Sequence, residues 1–154
     1  KKAKIILTSE EKSRIEIADF GLNNLNNIGL QIFTYVNTNR VCAKELVLFP
    51  YQTCPEHKHI PTKLGPGKEE TFRCRKGTVY LYIPGPEKTL KRGILPNTKV
   101  TVFHEIVLNE GDQFTLNPET LHWFRAGPKG AIISEFSTTS TDETDYFTDP
   151  RIIR

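Results

Sequence analysis

The sequence predicts an all-β domain, either a closed barrel or a sandwich, with helix confined to its N-terminal part. From Leu30 onward, short runs of β-branched and aromatic residues recur at intervals of roughly ten residues, separated by Gly, Pro and Asn, which is typical of barrels and sandwiches. The length of 154 residues suits one domain with one hydrophobic core. We therefore expect an N-terminal extension over about 1–29, a barrel over 30–137 and a C-terminal segment over 138–154.

The N-terminal extension contains the only predicted helix. Thr8-Ser-Glu-Glu11 has the pattern of a capping box, so a short helix should begin near Ser9. Turn residues from Asp19 to Asn27 leave this helix little length. The chain contains no Met, not even at position 1, so we expect further residues before Lys1.

The predicted strands follow one another with turn residues between them. Gly77 is expected to allow a tight turn between two of them, and the segment 84–99, rich in Pro, Lys and Gly, is expected to form a loop. The polar C-terminal segment carries two apolar pairs, at 146–147 and 152–153, that should pack it against the barrel. The predicted strands cover residues 31–36, 44–49, 56–60, 70–75, 78–83, 100–108, 113–116, 122–125 and 131–137.

Charge and cysteine content exclude several classes of protein. The formal net charge of +3 is spread without a long basic run, so neither a nucleic-acid partner nor a membrane surface is expected. No apolar run approaches the ~20 residues of a membrane-spanning helix, and the N-terminus lacks a signal-peptide pattern, so a cytoplasmic protein is expected. The three cysteines form no C-x-x-C pair, which favours reduced thiols over disulfides or a zinc knot.

Four residues are candidate ligands of a metal ion. His57 and His59 are two positions apart, so in a strand both imidazoles project from one face. Glu70 supplies a hard oxygen, and His122 lies in a later strand-like segment as a fourth ligand. His104 has no partner at a comparable spacing and is interpreted as structural. This mixed nitrogen and oxygen set suits a divalent ion and leaves coordination positions open.

Glu135 is a candidate catalytic residue because of the face on which it is predicted to lie. In the last barrel strand Glu135 lies on the same face as apolar Ile133, so its carboxylate would be buried if this face points inward. Buried carboxylates are costly unless they are paired or functional. A register shift by one residue would instead place Glu135 outside, near Arg125 or Lys129.

The arrangement of these residues resembles the two metal-binding motifs of the cupin superfamily, small double-stranded β barrels with a jelly-roll-like fold. The motif residues are His57-x-His59, Glu70 and Gly77, and then the Glu-Gly-Asp112 turn followed by Pro118 and His122. The chain resembles one branch more closely, the bacterial D-lyxose ketol-isomerases, from about Thr8 to its end. That closer resemblance lies in Cys-Ala-Lys-Glu-Leu-Val-Leu-Phe-Pro at 42–50, Gly-Lys-Glu-Glu-Thr-Phe-Arg-Cys-Arg at 67–75, Leu-His-Trp-Phe at 121–124, Ser-Glu-Phe-Ser at 134–137 and Phe-Thr-Asp-Pro-Arg-Ile at 147–152.

The resemblance implies a manganese-dependent aldose–ketose isomerase that interconverts D-lyxose and D-xylulose, often also D-mannose and D-fructose, as a homodimer. Glu135 is the favoured general base, and Lys68 the acid or a cation that stabilises a substrate oxygen. Glu69 and Asp145 are alternative bases, and a hydride shift would need no base. Glu69, Trp123 and Phe124 are the expected substrate-binding residues, and Tyr80 and Tyr82 could line the same pocket.

Three other functions remain open at this point, because cupins support many chemistries. A sugar-phosphate isomerase would need a cationic clamp for phosphate, but Arg73 and Arg75 fall on the opposite strand face from Glu70. An iron-dependent dioxygenase would use the same open metal positions. A metal-containing sugar-binding module without turnover would not need Glu135 to face the open metal positions.

Overall fold

The chain forms one curled, antiparallel β structure, described for residues 3–63 and 65–154 by a computed structural model. The first two residues of the expected N-terminal extension lie outside this part. The all-β prediction is confirmed, and the sheet curls into a barrel. The elements are α1 (Ser9–Ser13), β1 (Glu16–Ala18), β2 (Leu30–Asn37), β3 (Cys42–Leu48), β4 (Thr53–Lys58), β5 (Glu70–Ile83), β6 (His104–Asn109), β7 (Gln113–Leu116), β8 (His122–Ser137), a single turn of 3-10 helix (Asp142–Thr144) and β9 (Tyr146–Phe147).

Two long strands, β5 and β8, join the two halves of the barrel. On one edge, β8 pairs first with β4 and then with β3, and on the other edge it pairs with β5 along most of its length. The first half of β5 pairs with β7 and the second half with β6. The start of β8 lies opposite β4 because these two strands pair directly, with His57 opposite His122.

Gly77 lies inside β5, so the predicted tight turn at this position is wrong. Its φ is 79°, and the register with β8 shifts between Gly77 and Val79. A Cβ atom at Gly77 would lie 2.1 Å from the carbonyl oxygen of Gly130, which itself has φ 75°. The two glycines therefore let the paired strands bend together. The segments 70–75 and 78–83 are one strand, and so are 122–125 and 131–137.

The helix predicted near Ser9 is present as α1, with Thr8 at its N-cap. The backbone N–H of Glu11 donates to Thr8 Oγ1 at 3.2 Å, and that of Thr8 donates to Glu11 Oε2 at 2.7 Å, which completes the capping box. None of the helices in the described ranges has the length and apolar character needed to cross a bilayer.

Apolar side chains from both halves of the barrel form the main core. A smaller cluster lies on the opposite face of β5 and β8, where the rings of Tyr82 and Trp123 stack at 3.9 Å and Trp123 Nε1 donates to Val102 O. The main core includes Ile28, Leu46, Leu48, Phe72, Leu81, Leu108, Leu116, Phe124 and Ile133.

The C-terminal segment, residues 138–154, lies against β4. Strand β9 pairs His57 with Phe147 and Lys58 with Tyr146. The N–H of Thr148 donates to Glu56 O at 3.1 Å, and the N–H of Ile153 donates to Phe20 O at 3.1 Å. This places part of the segment beside the histidines of β4.

Candidate metal centre and active site

Three histidines meet at the end of β4 and the start of β8. His57 is in β4, His59 follows the strand directly, and His122 opens β8, where it is the register partner of His57. The ring of His57 lies 5.1 Å from that of His59 and 4.2 Å from that of His122. One ring nitrogen of each falls within 4.8 Å of the others, so the three could hold a metal ion.

Local backbone carbonyls orient two of these rings. His57 Nδ1 donates to Pro55 O at 2.8 Å, and His122 Nδ1 donates to Thr120 O at 2.8 Å. A carbonyl can only accept, so in the neutral rings Nε2 carries the free lone pair. His122 Nε2 is buried and has no hydrogen-bond donor as partner in the described part of the chain; its near neighbour, Glu70 Oε1 at 3.1 Å, is also an acceptor. Such an orphaned nitrogen is what a metal ligand requires.

Glu70 brings a carboxylate to the same point. It is buried at the start of β5, with Oε1 3.0 Å from His59 Nε2 and 3.1 Å from His122 Nε2. Burial alone would raise the pKa of Glu70, but the Lys68 ammonium and His59 outweigh it and hold that pKa well below its usual value. The structure thus brings together all four ligands that the sequence predicts, and their donor set fits a divalent metal ion.

His59 differs from the other two histidines in its partner and in its charge. Its Nδ1 lies 2.6 Å from Asp145 Oδ1. Burial opposes the charged ring, but Glu70 and Asp145 together raise the pKa of His59 to about 9. For His57, burial lowers the pKa well below its usual value, helped by the neighbouring His122 and His59. His59 therefore lies between two carboxylates, with Glu70 on its Nε2 side and Asp145 on its Nδ1 side.

A buried ion pair lies directly beside the four ligands. Lys68 Nζ is 2.9 Å from Glu135 Oε1 and 2.9 Å from Glu70 Oε2, and it is 3.4 Å from Asp142 Oδ1. Lys68 is 5% exposed and Glu135 3%. Burial disfavours the Lys68 ammonium, but the three carboxylates more than compensate and raise its pKa well above the usual value. Glu135 therefore faces inward, and the alternative contact with Arg125 or Lys129 is wrong.

The cavity containing these groups has a polar side and an apolar side. Four carboxylates line it, against two permanent cations, Lys68 and Arg154, among the described lining residues, and His59 adds a positive charge when it is protonated. Arg154 lies 3.6 Å from Asp142 and also contacts Glu16, so both permanent cations are already paired. A metal ligand must be a neutral imidazole, and with His59 neutral a divalent ion would balance the excess of carboxylates. The carboxylates are Glu70, Glu135, Asp142 and Asp145, and the apolar side includes Phe20, Leu30, Ile32, Leu46, Cys54, Phe72, Phe124 and Phe147.

Several predicted substrate-binding residues lie elsewhere. Trp123 is wrongly predicted, because consecutive residues of β8 face opposite sides and Phe124 takes the cavity side. Tyr80 and Tyr82 pack in the small cluster with Trp123. Glu69 is exposed, and it lines a different surface depression.

The remaining side chains named from the sequence have other partners. His104 contacts Glu87, and Arg151 pairs with Asp149 at 2.6 Å. Arg73 and Arg75 are exposed, on the face opposite Glu70.

Two cavity residues were not identified from the sequence. Asp142 belongs to a polar stretch whose composition indicates solvated chain, and Arg154 is the last residue of the chain; tertiary contacts of the C-terminal segment bring both to the site. The available signal was the excess of acidic residues between 142 and 145, close to apolar Tyr146 and Phe147.

Comparison with curated proteins assigns the chain to a family. A D-lyxose/D-mannose isomerase of Thermosediminibacter oceani is 61% identical over 158 residues, which cover 100% of this chain and 87% of that protein. The chain belongs to the D-lyxose ketol-isomerase family. Another member, the D-lyxose ketol-isomerase of Cohnella laeviribosi, is 57% identical over 100% of this chain and 86% of its own length. No protein-family model matches. This member is therefore a sugar aldose–ketose isomerase, as the sequence motifs predicted.

Solved structures confirm the fold. The L-ribose isomerase of Cellulomonas parahominis superposes with a TM-score of 0.74 over 97% of this chain and 86% of that one, at 15% identity. An Acinetobacter L-ribose isomerase in complex with L-ribose gives a TM-score of 0.70 over 93% and 76%, at 17% identity. A Klebsiella pneumoniae protein with a double-stranded β-helix domain gives 0.54 over 77% and 83%, at 16% identity. The predicted cupin barrel is thereby confirmed.

Proposed function

We propose that this family member interconverts D-lyxose and D-xylulose, and also D-mannose and D-fructose, with a divalent metal ion held by His57, His59, Glu70 and His122. The observation that carries the proposal is the convergence of these four side chains beside the buried Lys68–Glu135 pair. The substrates follow from the relatives named D-lyxose/D-mannose isomerase and D-lyxose ketol-isomerase. The resemblance also implies a homodimer.

The nature of the ligands narrows the choice of metal. Three imidazoles and one carboxylate contain no thiolate, so they suit Mn²⁺, Fe²⁺, Co²⁺ or Ni²⁺. Manganese has the weakest intrinsic affinity of this series, and we propose it because of the resemblance to the family. A bound divalent ion would polarise the substrate carbonyl and acidify the proton on the adjacent carbon, an effect worth several kcal/mol.

Glu135 and Lys68 supply the groups that an aldose–ketose isomerisation requires from the protein. The reaction moves hydrogen from C2 to C1 and a proton between O1 and O2. In this proposal Glu135, which is buried at the cavity wall, would take the C2 proton and return it to C1. Lys68 stays an ammonium beside three carboxylates, so it acts as a cation that stabilises a substrate oxygen. Phe124 and Phe147 exclude water from the apolar side.

The charges around the cavity favour a neutral sugar over a sugar phosphate. Lys68 and Arg154, the permanent cations among the described lining residues, are each bound to carboxylates, and so is His59 when it is protonated. A phosphate group would meet four carboxylates and no cation free to bind it. The inward position of Glu135 also favours turnover over sugar binding alone, since a binding module has no use for a buried base.

The test of this proposal is D-xylulose formation from D-lyxose by the purified protein and by Glu135→Gln. The variant keeps the shape of the side chain and an oxygen that can accept from Lys68. We expect kcat to fall by about 100- to 10,000-fold, the usual contribution of a general base. Glu143→Gln is the matched control, because Glu143 is an exposed acid of the C-terminal segment, and it should keep the wild-type rate. Undiminished turnover in Glu135→Gln would rule out the base and favour a hydride shift.

A further inference from the structure

We propose that Asp145 is a positioning residue for the metal site, which couples metal binding to the docking of the C-terminal segment on β4. The inference rests on the proposed metal-dependent function and gives Asp145, whose carboxylate is grouped with His59 and Asp142 near the cavity, a role that is exerted through His59. Asp145 acts through His59, whose Nδ1 lies 2.6 Å from its Oδ1.

The Nδ1 atom of each of the three histidines has a hydrogen-bond partner, and these partners differ in how far they lie from the histidine along the chain. His57 and His122 each donate to a carbonyl two residues earlier, Pro55 O and Thr120 O. The local backbone therefore sets the ring orientation of His57 and His122. His59 instead depends on Asp145, 86 residues away. This hydrogen bond on Nδ1 exists only when the C-terminal segment is docked.

Asp145 is held in place from both sides. Its backbone N–H donates to Asp142 O at 3.2 Å, at the end of the 3-10 turn. The next two residues form β9, whose pairing with β4 fixes Tyr146 opposite Lys58 and Phe147 opposite His57. The side chain is only 7% exposed. The carboxylate therefore reaches His59 at a position set by the register between β9 and β4.

A carboxylate on the far nitrogen has two effects on a histidine ligand. It fixes Nδ1 as the protonated nitrogen, so that Nε2 faces the metal, and it makes Nε2 a stronger electron donor. Loss of such a partner typically costs 10- to 100-fold in metal affinity. The coupling is reciprocal, because whatever docking adds to metal affinity, the metal must add to docking.

The experiment compares Asp145→Ala and Asp145→Asn with Glu143→Gln, the exposed acid of the same segment. Each chelator-treated protein is titrated with Mn²⁺ against a competing chelator. We expect Asp145→Ala to bind Mn²⁺ about 10- to 100-fold more weakly. Asp145→Asn should recover part of the loss, because its amide oxygen still accepts from Nδ1–H. Glu143→Gln should bind as the wild type does.

Hydrogen exchange at the β9 amides, with and without Mn²⁺, separates positioning from a merely structural role. We expect Mn²⁺ to slow exchange in the wild type and to do so much less in Asp145→Ala at saturating metal. An Asp145→Ala variant that binds Mn²⁺ with wild-type affinity overturns the inference, even if its metal-free form unfolds at a lower temperature. A wild type that binds no Mn²⁺ overturns the proposed metal site itself, so the two failures are distinguishable.

Discussion

The carbonyls of Pro55 and Thr120 decide which nitrogen two of the histidines present to the cavity. Each accepts from an Nδ1 at 2.8 Å, which leaves Nε2 to bind a metal. The pKa of His57 lies well below its usual value because the ring is buried. His57 therefore remains a neutral, metal-competent ligand at pH values where a surface histidine would be protonated.

The rate at which the three cysteines are alkylated is predicted to depend on pH. Burial raises the pKa of the Cys42 and Cys54 thiols, and it raises that of Cys74 to about 11. Because only the thiolate reacts, alkylation of the native protein by iodoacetamide should be slow at pH 8 and accelerate as the pH approaches these raised values. Intact mass spectrometry measures the labelling. The urea-unfolded chain, with ordinary thiol pKa values, should label quickly at all three positions. Rapid native labelling at pH 8 would contradict the prediction.

Both faces of strand β4 carry buried polar side chains, and Glu56 lies on the face opposite His57. Its carboxylate accepts from the backbone N–H groups of Thr101 at 2.6 Å and Val102 at 3.0 Å, and from the hydroxyls of Thr101 and Thr148. The side chain is fully buried. Through these hydrogen bonds Glu56 holds the segment before β6 and the C-terminal segment against β4, the strand that contains His57.

Removal of the Glu56 carboxylate should destabilise this junction. In Glu56→Ala, two backbone N–H groups would lose their acceptor, so we expect the free energy of unfolding to fall by roughly 2–4 kcal/mol. Urea unfolding followed by circular dichroism measures the change. Glu143→Ala, at an exposed position nearby in the sequence, should change it by less than about 0.5 kcal/mol. An equally small effect of Glu56→Ala would show that these hydrogen bonds contribute little.

Elements with a strong local signal were predictable, and elements set by tertiary contacts were not. The capping box at Thr8 and the strand alternation around Glu70 and Glu135 depend on nearby residues, and both were predicted from the sequence. Strand β9 has two residues and exists because β4 lies beside it. Gly77 was wrongly placed in a turn, because a positive φ also permits a bend within a long strand.

For the whole molecule, the candidate site depends on chain segments that are far apart in the sequence. The spacing of His57, His59, Glu70 and His122 was enough to predict that these four side chains come together, because their positions follow from strand periodicity and the resemblance to the cupin motif. The contribution of Asp142 was not predictable, and Asp145 was named only as an alternative base, because composition alone indicates solvated chain at 138–145. Once the C-terminal segment docks, the cavity carries more carboxylates than cations, and a divalent ion restores the balance.

The most direct test of the account is whether isomerisation depends on a metal held by these ligands. Chelator-treated protein is assayed for D-xylulose formation from D-lyxose before and after addition of Mn²⁺, together with His122→Ala and the control His104→Ala. His104 contacts Glu87 and lies outside the cavity. We expect ketose only after Mn²⁺ is restored, in the wild type and His104→Ala, with His122→Ala inactive. Turnover without metal, or unimpaired turnover in His122→Ala, would contradict the proposed centre.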